Sequence, residues 1–158
     1  MMRKYGHEIR WTLVFVAATL LWMVIERIAG LHSTHIDKHA SYTNLFAVVA
    51  IAIYVLALRA KKQQLDGKLS FKEGVISGSL ISVGVGLLSP LSQWITHKLI
   101  SPAYFSNATA YGVNAGLTTP EEAEAYFNLG NYIMISAVSA PLMGIVTAVV
   151  VMIFLRTK

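Results

Sequence analysis

"GVISGSLISVGVGLLSPLSQWIT", residues 74–96, carries no charged side chain in 23 positions. A helix needs roughly 20 apolar residues to cross about 30 Å of hydrocarbon, so this run is long enough to span a bilayer. Lipid offers the backbone no hydrogen-bond partners, which makes a helix the expected form. The same run is dotted with Gly74, Gly78, Gly84 and Gly86, and with Ser77, Ser79, Ser82 and Ser89. Small residues let membrane helices approach closely where no hydrophobic effect drives them together. The stretch therefore reads as a spanning helix shaped for close helix contacts, inside one chain or between two copies.

Three further runs have the same character. "WTLVFVAATLLWMVI" covers residues 11–25 and extends through Glu26 and Arg27 to about Gly30. Residues 40–58 and 132–155 are also free of charge. The expected fold is all-α: a polytopic membrane protein, a bundle of four transmembrane helices at about 10–30, 40–59, 71–100 and 130–156, forming a single domain over 1–158. A cleaved signal peptide is the competing reading of the first run. Glu26-Arg27 follows its apolar core directly and no small-x-small site precedes them, so a spanning helix is preferred.

Composition agrees. Hydrophobic residues make up 55% of the 158 positions and charged residues 13%, about half the share of a soluble domain. Mean hydropathy is +0.57. Without cysteine, disulfide frameworks and thiol chemistry are excluded. The net charge of +5 invites a nucleic-acid reading, but the basic residues flank the apolar runs, which points to the bilayer as partner and not to nucleic acid.

The distribution of charge gives an orientation. One side collects Arg3, Lys4, Arg10, Arg59, Lys61, Lys62, Lys68, Lys72, Arg156 and Lys158 with three acids, Glu8, Asp66 and Glu73, for a net +7. The other holds Arg27, Lys38 and Lys98 with five acids, for a net −2. By the positive-inside rule both termini and the 59–72 loop are cytoplasmic, in a bacterial inner membrane. The lysines of that loop are expected among anionic headgroups. The 101–130 connection faces outward.

Boundaries follow from turn and capping signals. Asp66-Gly67 is a turn, and Ser70 with Glu73 forms a capping box that starts the third helix. In the outer connection, Thr119, Pro120 and Glu122 cap a short amphipathic outer-face helix that places Ala123, Tyr126 and Phe127 on one face. Asn107-Ala108-Thr109 matches a glycosylation sequon, a pattern short enough to arise by chance.

Several of these patterns occur in an order that resembles a bacterial integral-membrane family of unknown function (DUF4199). They are "WMVIERIAGLH", "IYVLALRAKKQ", "GKLSFKEGVISG", "ISPAYF", "TTPEEAEAY" and the basic ending "FLRTK". The resemblance implies a four-helix bacterial membrane protein and supplies no catalytic residues or cofactor.

Candidate sites centre on "ERIAGLHSTHIDKHASY", residues 26–42. Glu26 and Arg27 read either as an interfacial pair or as an ion or proton site in which Glu26 faces inward, shielded by Trp22 one turn before it. On a helix, His32, His35 and His39 would share one face, and His97 lies on the same side of the membrane, a set able to hold Zn, Cu or Ni or to sense pH. H-x2-H-x3-H is no standard zinc motif, and the preferred reading is a polar turn. Pro90 and Pro141 are expected to kink their helices, with Ser136, Ser139 and Gly144 relieving the second. No G-x-S-x-G, P-loop or H-E-x-x-H is present, and a His97–Ser89 or His97–Ser92 pair is weak support for catalysis. The function expected first is a non-enzymatic membrane component or accessory subunit without cofactor, in a homodimer or larger membrane complex. Transport or binding of a solute, ion or lipid near Glu26 comes second, and metal or pH sensing third.

Overall fold

The computed structural model describes residues 5–157. Arg3, Lys4 and Lys158, counted above toward the basic side, lie outside the described residues. The described chain is helical throughout with no strand, in the order α1 (Gly6–Ile28), α2 (Ile36–Tyr42), α3 (Phe46–Gln64), α4 (Phe71–Ile95), α5 (Tyr104–Asn114), α6 (Pro120–Tyr126) and α7 (Leu129–Leu155). A 3-10 turn, Thr43–Leu45, joins α2 to α3, and a π-helical turn, Thr96–Ile100, extends α4. Four segments are long and apolar enough to cross a membrane: Gly6–Ile28, Ile36–Gln64, Phe71–Ile100 and Leu129–Leu155.

The glycine-rich run became α4, which packs most extensively against α7 and then against α1. A side chain at Gly74 would strike Met152, at Gly78 the Ala148 methyl group, and at Gly86 the ring of Pro141, all on α7. Gly84 faces Thr12 of α1. The small-residue face is thus filled within the chain, and a homodimer would need another surface. Hydrogen bonds tie α3 to the same helix: Tyr54 meets Ser82 at 2.6 Å, and the Ser82 hydroxyl donates to the Gly78 carbonyl within α4 at 2.7 Å. Around them Ala57, Leu58, Ile81, Val151 and Met152 form the buried core. Outward-facing Leu21, Leu87, Val48 and Phe154 remain exposed, as a lipid-facing surface requires.

Both intramembrane prolines lie inside continuous helices. Pro90 cannot supply the N–H that would bond the Gly86 carbonyl four residues back, and Ser89 Oγ donates to that carbonyl instead at 2.8 Å. At Pro141 the expected serine relief takes a different form, since Ser136 Oγ accepts from Gln93 Nε2 at 2.6 Å and so links α4 to α7.

The start of α1, the end of α7 and the α3–α4 loop share one end of the bundle. Thr157 is stitched to that loop: its N–H bonds Leu69 O at 2.9 Å, and its hydroxyl lies 3.1 Å from Leu69 N and 3.0 Å from Gly67 O. Two lysines expected among headgroups are held by protein groups. Lys62 donates to Leu155 O at 3.0 Å, capping α7, and Lys61 donates to Glu8 Oε1 at 2.8 Å. Glu8 is 5% exposed and also accepts from Ser77 Oγ at 2.7 Å. Removing one partner of such a pair strands the other charge. Lys61→Met is therefore expected to cost about 2 kcal/mol, discounted because Lys61 is partly exposed, and adding Glu8→Gln should restore part of it in thermal unfolding.

The 101–130 connection departs from expectation. It contains two helices where one was expected, because Tyr104–Asn114 folds as α5 with Tyr104, Ala108 and Gly112 buried four residues apart. α6 has the expected capping box, with Thr119 Oγ1 accepting from Glu122 N and the Glu122 carboxylate accepting from Thr119 N. The bond from the Thr119 N–H, joined by one from the Thr118 hydroxyl, holds the Glu122 carboxyl below its usual range. Asn107, the sequon residue, donates to His32 O at 2.8 Å and so pins the turn before α2 to α5.

Candidate functional site

α1 ends in a left-handed glycine. Gly30 has φ +78°, a conformation glycine adopts without strain. Leu31 N bonds Glu26 O at 2.9 Å and Gly30 N bonds Arg27 O at 3.0 Å, the pair of bonds that defines a Schellman cap. This reversal folds residue 32 back over the last turn of α1 and sets Glu26 beneath it. α2 then returns His39 to the same point.

Glu26 is 1% exposed and every carboxylate oxygen is engaged. Oε1 accepts from Trp22 Nε1 at 2.7 Å, the i to i+4 contact expected from the sequence. Oε2 lies 3.1 Å from His32 Nε2 and 3.4 Å from His39 Nε2. Thr43 stands beside the carboxylate. Arg27 points away and reaches Leu99 O at 3.5 Å on the surface, so Glu26-Arg27 is not an interfacial pair.

The backs of both imidazoles are also held. His32 Nδ1 lies 2.9 Å from Ser101 Oγ, and His39 Nδ1 lies 3.4 Å from the Tyr104 hydroxyl. A carboxylate only accepts, so each ring donates its Nε2–H to Glu26 and accepts at Nδ1 from a hydroxyl. Burial raises the Tyr104 phenol above its ordinary range, which keeps it a donor. Serine and tyrosine hydroxyls both donate and accept, so the outer bonds can reverse when an ion takes the place of the Nε2 protons. With Nε2 bare toward Glu26, each Nδ1–H would donate outward to Ser101 or Tyr104. That is the tautomer a metal needs, with its outer hydrogen bonds already placed.

Glu26, His32 and His39 each offer a ligand atom within 4.8 Å of the other two. Bonds of about 2.0–2.2 Å in a tetrahedron put ligand atoms about 3.3 Å apart, close to the separations of both histidines from Oε2. Two histidines and one carboxylate form a donor set used for zinc with a fourth position open. The expected four-histidine set is corrected on two counts. His35 is exposed at the N-cap of α2, because the Gly30 turn breaks the helix that would have aligned it. His97 is buried but bonds Gln93 Oε1 at 3.1 Å and stacks on Phe105 at 4.1 Å between ring centroids. Ser89 and Ser92 spend their hydroxyls on Gly86 O and Leu88 O, so His97 has neither as a partner.

Sequence reasoning missed Ser101, Thr43 and Tyr104. Tyr104 ties the site together, with ring centroids 5.1 Å from both His32 and His39 and 5.2 Å from His97. It also borders an open cavity of about 590 Å³, shared with His39 and Thr43, between α2, α5, α6 and the start of α7.

Comparison with known proteins adds a family. The family described as "Protein of unknown function (DUF4199)" matches residues 10–157, in agreement with the resemblance drawn from the ordered motifs. No curated protein and no solved structure matches the chain.

Proposed function

We propose that this chain, which belongs to the DUF4199 family, is a non-enzymatic membrane protein that binds a divalent transition metal through Glu26, His32 and His39. The observation that carries the reading is the convergence of those three ligand atoms in a buried site whose second nitrogens already have hydroxyl partners. A buried carboxylate facing two imidazoles is costly to assemble, and metal coordination is one role that accounts for it. The charge asymmetry of the sequence supports cytoplasmic termini in a bacterial inner membrane, which turns the site outward. Binding is preferred to turnover because His97 bonds Gln93 and neither nearby serine. As a metal-holding accessory subunit, the protein would present or sense the ion at the outer surface.

The test is a zinc titration of chelator-stripped protein in detergent, followed by calorimetry. One zinc per chain is expected, with the site lost in His32→Ala. Heats indistinguishable from those of the variant would sink the reading. Trp22→Phe removes the donor that orients Oε1, and its zinc affinity is expected to fall about 10-fold with the ion still bound one to one.

A further inference from the structure

The cavity beside the metal ligands is far larger than an ion requires. Its volume of about 590 Å³ lies within the roughly 300–1,000 Å³ of small-molecule sites. Tyr104, Tyr111, Tyr126, Phe127 and Tyr132 wall it. Tyr132 is the hub, with ring centroids 6.0 Å from Tyr104, 5.9 Å from Tyr126 and 6.5 Å from Phe127. Aromatic faces attract a cation held within about 6 Å, more strongly when it is desolvated.

Charge selects the same class of ligand. Asp37 lines the cavity, and neither Lys nor Arg does so. Lys38 is exposed beside Asp37 in sequence and is not part of the wall. Residues 101–130 contain no Lys or Arg at all. An anion would meet Asp37 with no lysine or arginine in the wall to compensate it. A neutral solute would gain only from apolar burial, whereas a cation gains from both the rings and Asp37. A primary ammonium is strongly hydrated and wants hydrogen-bond acceptors, which an aromatic wall supplies poorly. A quaternary ammonium donates no hydrogen bonds and sheds water cheaply.

We propose that this cavity binds a quaternary ammonium group, caged by the Tyr126–Tyr132–Tyr104 rings and paired with Asp37. The inference goes beyond the metal reading and does not require it. The ammonium group has two sources, a free solute such as choline or the choline headgroup of a lipid at the outer surface.

The experiment uses the full chain in maltoside with EDTA present, so that metal occupancy cannot influence the result. Choline and its neutral carbon isostere, dimethylbutanol, are titrated by calorimetry. Choline is expected to bind at least about 10-fold more tightly than the isostere, the ratio a desolvated cation–π site supplies. Asp37→Asn and Tyr126→Leu should each weaken choline several-fold. Both residues are exposed, so thermal stability should hold. A second arm repeats the titration in nanodiscs of phosphatidylcholine or phosphatidylglycerol. Loss of choline binding in phosphatidylcholine alone upholds the site and assigns it to the lipid headgroup, while retention in both upholds it for the free solute. Equal binding of choline and isostere, or no choline binding in maltoside, overturns the proposal.

Discussion

Zinc affinity is expected to fall at least about 100-fold in His39→Ala and in His32→Ala, since loss of a ligand exceeds the 10- to 100-fold cost of losing an outer-shell partner. His35→Ala and His97→Ala should bind zinc as the parent does, because neither ring reaches Glu26 in the structure. That contrast separates the three-residue site from the one-face histidine set that the sequence offered as an alternative to a polar turn. Thermal unfolding provides an independent readout. A ligand that binds only the folded state stabilises it by about 2.7 kcal/mol at 100 times its dissociation constant. Saturating zinc should therefore raise the melting temperature of the parent and of His35→Ala and leave that of His39→Ala unmoved. An equal rise in all of them would assign the effect to adventitious surface binding and would refute the site.

The second large effect concerns the α4–α7 seam. A side chain at Gly144 would fall on the hydroxyls of both Tyr54 and Ser82, which bond each other at 2.6 Å. Gly144→Val must break that buried bond and push the helices apart. Overpacking costs about 1–3 kcal/mol and a stranded buried hydroxyl about as much again, so a loss of about 3–5 kcal/mol is expected. Gly74→Ala meets the flexible end of Met152 and should cost less. Gly6→Ala, with nothing within 4 Å of the added methyl, is the control. Unfolding in mixed micelles ranks the three, and a Gly144→Val protein as stable as Gly6→Ala would refute the account of the seam.

Those two regions differ in how far the sequence disclosed them. The third and fourth spans were legible because an uncharged run of more than 20 residues has few alternatives, and the first two because their uncharged runs come close to that length. The capping boxes at Ser70 and Thr119 were legible because each is a local bargain between residues three apart. The metal ligands were named in part. Glu26, Trp22, His32 and His39 were all singled out, but their grouping depends on Gly30 adopting φ +78°, which breaks the helical spacing. That turn brings His32 back over Glu26 and leaves His35 outside. Ser101 and Tyr104 lie about 70 residues from their histidine partners, and no local pattern announces a contact across that distance. α5 was overlooked because its buried positions are Tyr104, Ala108 and Gly112, one large ring followed by two residues too small to register as an apolar stripe. Glu8 looked like one charge in a basic segment, since its burial depends on Ser77 and Lys61 from other helices.

The glycine face of α4 also has a consequence in time. α4 leaves the ribosome well before α7, and the recesses at Gly74, Gly78 and Gly86 are shaped for Met152, Ala148 and Pro141 of that later helix. During synthesis the newly inserted α4 must wait in the bilayer with its closest-fitting surface turned to lipid or to an insertion factor. Only α7 completes that surface, and Thr157 fastens it to the α3–α4 loop.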